Sequence, residues 1–176
     1  VERFTSSTCY PCALANPTLE AFLNASDPEK VTNISYHMNW PAPGNDPMYL
    51  INPPDNNARR TLYGVNAIPD WFFDGVLNVG TTTSELNSAY NQRTNLLSPV
   101  SIVVSEVNNG TSVTVKADVY CEGFLANPNV TIQFAIIEKV VYYNGTNGET
   151  NYTYVMRKLL PNSFGTPATL LPGNKV

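Results

Sequence analysis

Apolar residues recur at helical intervals in Leu14, Leu19, Phe22 and Leu23, then at alternate positions from Val31 to His37. The first pattern predicts a helix ending in the turn formers Asn24-Ala25-Ser26-Asp27-Pro28, and the second a strand. Pro41 to Pro54 is rich in Pro, Gly and Asn and reads as a long covering loop, packed down by Met48, Tyr49, Leu50 and Ile51. Asp55 is placed to cap a helix through Tyr63, stopped by Gly64, with Arg59 and Arg60 on a solvated face near its C-terminus. Asp70–Phe73 reads as a strand, Asp74-Gly75 as its turn and Val76–Val79 as the returning edge. Thr82 and Glu85 have capping-box spacing for a helix carrying Leu86, Ala89 and Tyr90, which Ser98-Pro99 ends.

After Pro99 the period becomes that of strands. Ser101–Val107 and Ser112–Tyr120 flank Asn109-Gly110, the strongest short hairpin signal. Val113, Val115, Ala117 and Val119 fall on one face of the second strand. Val130–Tyr143 holds one or two further strands, and Tyr152–Leu160 another. The expected organisation is an α/β domain over 1–97 followed by an all-β domain over 98–176, half of a sandwich whose open edges call for a cover, a β-edge partner or a second copy. Cys121 reads as a buried strand thiol, with intermolecular pairing as the other reading of an odd cysteine.

The candidate chemistry lies at Cys9-Tyr10-Pro11-Cys12, between the extended Val1–Thr5 and the first helix. Backbone N–H groups at a helix N-terminus favour the thiolate, the attacking species in disulfide exchange. Cys9, expected to be the more exposed, would attack, and Cys12 would resolve the mixed disulfide. Two other readings stay open: a static disulfide, and a zinc or copper site completed by His37 or Cys121. His37 is the only histidine and is placed at a strand end on the dithiol side, where it would assist proton transfer or simply hydrogen-bond the next loop. Trp40 reads as a loop anchor beside it.

Cys-x-Pro-Cys at a strand–helix junction, followed by Tyr63-Gly64-Val65-Asn66-Ala67-Ile68-Pro69 running into an apolar strand, resembles the thioredoxin superfamily over residues 1–97. The resemblance implies a cis Pro69 against the dithiol and an Ile68 backbone that pairs with an extended substrate. Tyr10 and Pro11 would complete the substrate-binding set. It implies a protein disulfide oxidoreductase acting on protein thiols or disulfides, with the dithiol itself as redox centre and no cofactor. Two departures bear on mechanism. Thr8 stands where thioredoxin has Trp, and the buried proton-relaying acid of that family falls near Glu2 or Arg3. Glu2 could serve, whereas Arg3 would favour a low-pKa thiolate. The order of the two domains, Phe4-Thr5 before the dithiol and Tyr154-Val155-Met156-Arg157-Lys158 later resemble a bacterial family named for a twenty-eight-kilodalton outer-membrane protein. That implies the cell envelope and a longer parent chain, with membrane association only through that parent's anchor.

Composition narrows the classes. Net charge is −4 and charged residues make up 14%, so no basic face marks a nucleic-acid partner. Asn, Thr and Tyr are plentiful, a polar and weakly charged balance that suits an extracytoplasmic protein. Sequons at Asn24, Asn33, Asn109, Asn129, Asn144 and Asn151 follow from that abundance and do not establish glycosylation. No apolar run has the length of a membrane span, and the abrupt opening in a strand reads as a processed or trimmed start. The alternative to an oxidoreductase is a surface binding module that keeps the scaffold and a structural disulfide.

Overall fold

The structure is a computed structural model describing residues 1–176. Its elements run β1 (Glu2–Thr5), α1 (Tyr10–Ala25), β2 (Ile34–His37), α2 (Pro47–Ile51), α3 (Pro53–Tyr63), β3 (Asp70–Phe73), β4 (Leu77–Val79) and α4 (Thr83–Thr94). Strands follow: β5 (Val100–Asn108), β6 (Val113–Cys121), β7 (Asn129–Ile132), β8 (Phe134–Tyr142), β9 (Asn151–Leu160) and β10 (Thr166–Thr169). No helix is long and apolar enough to cross a membrane.

The chain divides into two compact units, Val1–Asn95 with Gln133–Phe164, and Leu96–Ile132 with Gly165–Val176. The first is built on a mixed sheet of order β4-β3-β1-β2-β9-β8. β1 runs parallel to β2 and antiparallel to β3, the thioredoxin-like arrangement expected of residues 1–97. One face packs on α1 and α4 through Leu19, Phe22, Trp71, Phe73, Leu86 and Ala89. The other face gathers Phe4, Tyr36, Met38, Val65, Met156 and Leu159, with the Tyr63 ring of α3 tilted against Phe4 and Phe72.

The sequence-based division at 97 differs from this architecture. β9 lies parallel to β2, with Ser35 paired to Val155, and β8 closes on β9 antiparallel. Residues 133–164 thus widen the dithiol sheet. The cause is the apolar side of β9: Tyr152, Val155, Met156 and Leu159 are all buried, against Met48 and the Phe4 cluster. The second unit keeps the β5–β6 hairpin, the β7–β10 pair and a small core of Val119, Cys121 and Leu170. Cys121 is a free, buried thiol, as read.

Local chemistry explains most boundaries. Thr82 and Glu85 form the capping box, and Gly64 ends α3 in the left-handed conformation at φ 65°. Asn52, not Asp55, caps α3, because the Asp55 carboxylate accepts the Leu159 N–H at 2.9 Å and so ties α3 to β9. The Pro41–Pro54 stretch holds α2, packed down by buried Met48, whereas Leu50 and Ile51 are exposed. Arg59 is not solvated: it forms an ion pair with Glu2 at 2.8 Å and lies over the Tyr36 and Tyr63 rings. Asn33 is fully buried, which removes that sequon as an acceptor in the folded chain.

Candidate functional site

Cys9 is the N-cap of α1, its Sγ accepting the Cys12 N–H at 3.1 Å, and the two cysteines are joined as a disulfide. A helix opening on Cys9 places Cys12 one turn inward, with Pro11 supplying a residue that needs no donor there. The Ile68–Pro69 bond is cis, and the Ile68 carbonyl oxygen lies 3.8 Å from Cys9 Sγ. The dithiol and the Ile68-Pro69 turn therefore meet, although 59 residues separate them.

Access differs from expectation. Cys9 is 1% exposed and Cys12 0%, so Cys9 is not an open nucleophile, while Tyr10 between them is 64% exposed and Pro11 is exposed too. Against the dithiol loop lies a strap, residues 143–150. Asn147 Nδ2 donates to the carbonyls of Ser6 and Cys9, and the Asn147 N–H donates to Ser7. At Gly145 a side chain would fall 2.8 Å from the Ser7 carbonyl and against the Tyr152 hydroxyl, so strap and dithiol loop touch backbone to backbone. The Gly145-Thr146-Asn147-Gly148 turn was the available signal.

β1 sorts the remaining candidates by face. Glu2 points to α3, where Arg59 and Tyr63 donate to it, so it is remote from the α1 face. Arg3 and Thr5 point to α1 instead. Arg3 is buried and fully engaged, by Glu20 at 2.6 Å, by the Ser35 hydroxyl and by Thr153. An arginine paired with a helix glutamate thus occupies the position where the acid was sought. Trp40 carries the Arg60 guanidinium 5.1 Å above its ring and packs beside the Phe4 cluster, consistent with an anchor.

His37, paired in register with Thr5, is 1% exposed. Its Nδ1 lies 2.7 Å from Asp46 Oδ2, and its Nε2 has no hydrogen-bond partner. Asp46 is the centre of this corner: it also accepts the N–H groups of Ser7, Met48 and Tyr49. Burial alone would push its carboxyl up, yet the hydrogen bond and charge of His37 with those backbone donors hold it below the ordinary carboxylate range. The sequence reading missed Asp46, which lay in a loop where only its position before Pro47 marked it as a helix cap. The covering loop does reach the dithiol, through Asp46 to Ser7 and through the Pro41 carbonyl, which accepts from Thr8 Oγ1 at 3.4 Å. With Nδ1 committed to Asp46 and the cysteines joined to each other, these side chains do not form a ligand cluster, and no group of three His, Cys, Asp or Glu with metal-binding geometry occurs.

Beside the dithiol, between α1 and the strap, lies a cavity of about 750 Å³. Arg3, Thr5 and His37 form its floor, Asn16 and Glu20 one wall and Glu149 another.

No family model matches the chain, and no curated protein sequence matches it. Among solved structures, HBP35 of Porphyromonas gingivalis is similar at a TM-score of 0.78 over 99% of this chain, with 13% sequence identity. This chain spans about 60% of that one. At such identity the likeness is one of fold alone; in this chain the fold is a thioredoxin-like mixed sheet that carries the Cys9–Cys12 pair, together with small antiparallel sheets.

Proposed function

We propose that this chain is a thiol–disulfide oxidoreductase of the cell envelope that acts on protein thiols or disulfides through Cys9 and Cys12. The observation that carries the reading is the Cys9 sulfur, held at a helix N-terminus by the Cys12 N–H and 3.8 Å from the Ile68 carbonyl. In the reducing direction the Cys9 thiolate attacks a substrate disulfide, forms a mixed disulfide and releases one substrate thiolate. Cys12, deprotonated, then attacks Cys9 Sγ and releases the second thiol. Two electrons pass to the substrate and the chain is left in the Cys9–Cys12 state; the oxidising direction reverses each step. Ile68, Pro69, Tyr10 and Pro11 form the proposed docking set. His37 is the proposed proton carrier, its ring oriented by Asp46. The envelope assignment is supported by the polar, weakly charged composition.

One observation favours a second reading. Both cysteines are buried and their loop is held by Asn147, as befits a structural bond in a binding module. Equilibration with glutathione separates the two, with Cys9 alkylation rates measured across pH. A working oxidoreductase shows a potential between about −120 and −270 mV and a Cys9 pKa well below ~8.5, and Cys12→Ser accumulates a mixed disulfide with substrate. A potential below about −300 mV with a sluggish Cys9 refutes the enzyme in favour of the structural bond.

A further inference from the structure

We infer that the cavity between α1 and the strap is a binding site for an ammonium or guanidinium group. Its volume, about 750 Å³, lies in the range of small-ligand sites. Two buried side-chain atoms of its lining have no hydrogen-bond partner, Asn16 Oδ1 and His37 Nε2. Asn16, 4% exposed, donates through Nδ2 to Thr5 Oγ1 and Glu149 Oε1, which leaves Oδ1 buried without a partner. His37 Nδ1 is taken by Asp46, and Nε2 is the second unpartnered atom, an acceptor in the tautomer that carries the proton on Nδ1. Pro17 lacks the N–H that would close on the Ala13 carbonyl, and both residues line the same space.

Charge points the same way. Arg3 is the one permanent cation in the lining, and its guanidinium is spent on Glu20, Ser35 and Thr153. Glu149 has no cationic partner; its oxygens accept only from the amides of Asn16 and Asn147. Asp46 adds a further negative charge directly behind His37. Buried acceptors without donors are costly, and the occupant that satisfies them beside an uncompensated carboxylate is a cationic donor. Tyr10 lies at both the dithiol and the cavity, so a substrate engaged at Cys9 would bring a neighbouring lysine or arginine side chain to this site. The inference rests on the oxidoreductase reading only for that source of the cation. A free small amine offers the same chemistry.

Calorimetric titration of the oxidised protein with cadaverine, N-acetyl-lysine methylamide and N-acetyl-norleucine methylamide tests the site without any redox step. Both amines are expected to bind and the neutral isostere to fail. Glu149→Gln is expected to weaken amine binding about tenfold. Ala21→Lys, which adds a positive charge on the exposed lip of α1 outside the hydrogen-bond network, is expected to do the same with an unchanged melting temperature. Binding of the norleucine compound as tight as that of the amines, or amine binding indifferent to Ala21→Lys, overturns the inference. Disulfide exchange with cysteine peptides bearing lysine or norleucine then identifies the source. Faster exchange of the lysine peptide assigns a substrate side chain, and cadaverine binding without that advantage assigns a free amine. If neither peptide is turned over while the amines bind, the oxidoreductase reading falls and the cation site stands.

Discussion

At the residue scale, the site depends on a few polar groups that each join two parts of the chain. Asp46 caps α2, holds Ser7 of the dithiol loop and orients His37, all from a fully buried carboxylate. Asp46→Asn removes the charge that His37 and three N–H groups address, and is expected to cost about 2–3 kcal/mol at neutral pH by urea unfolding. The folded-state pKa of Asp46 lies below its unfolded value, so its stabilisation is complete above the unfolded pKa, near 4, and is lost as pH falls through the folded value. Wild-type stability should therefore drop on acidification below about pH 4, with a shallower drop in Asp46→Asn. Asn147 is the second such residue. Asn147→Ala deletes two side-chain hydrogen bonds to the dithiol loop, and reduced Cys9 is expected to alkylate about tenfold faster. Gly145→Ala should loosen the same strap by collision with Ser7 and Tyr152. An unchanged alkylation rate in both would mean the strap does not govern access.

At the element scale, what was legible in the sequence was local. The capping box at Thr82, the Gly64 stop, the Asn109-Gly110 hairpin and the strand period of β6 are all set by neighbours within a few residues, and all appear where the pattern placed them. Partner choice was not legible. Tyr152–Leu160 reads as a strand, but nothing within it states that it lies beside Ser35 rather than beside β6. The dithiol and the Ile68-Pro69 turn were found together only because a family resemblance supplied the long-range pairing; the Asp46–His37 contact and the strap had no such guide. Helical spacing also overstated burial: Leu14 shares the period of Leu19 and Phe22 yet is 65% exposed, on the side of α1 that borders the cavity. The role of β9 carries a direct prediction. A fragment ending at residue 97 keeps β1 to α4 but leaves Phe4, Tyr36 and Met38 without Met156 and Leu159, and Asn16 without Glu149. It is expected to lack a cooperative thermal transition and to expose apolar surface to a hydrophobic dye. Cooperative melting of that fragment would show that β8 and β9 are accessory.

At the scale of the whole molecule, the two units differ in how much they bury. The first carries three apolar clusters around a six-stranded sheet, the second a small one around Val119, Cys121 and Leu170. The far end of the β5–β6 hairpin is exposed on both faces, with Ile102, Val103, Val104, Val107, Val113 and Val115 all open. Few buried contacts mean cheap local opening, so amide exchange at the hairpin tip is expected to be fast while β1, β2 and β9 exchange together and slowly. Slow exchange at the tip would reveal that something covers it in solution. The interleaving of the units also has a consequence in time. Cys9 and Cys12 are synthesised before the strap that holds their loop and the strand that completes their sheet, which are specified only after Leu96–Ile132 has been made. At a synthesis rate of about 5–20 residues per second, that interval is on the order of ten seconds. For that interval the pair stands open to whatever oxidant or reductant the nascent chain meets, so the redox state in which the fold first closes is set before the closing elements exist.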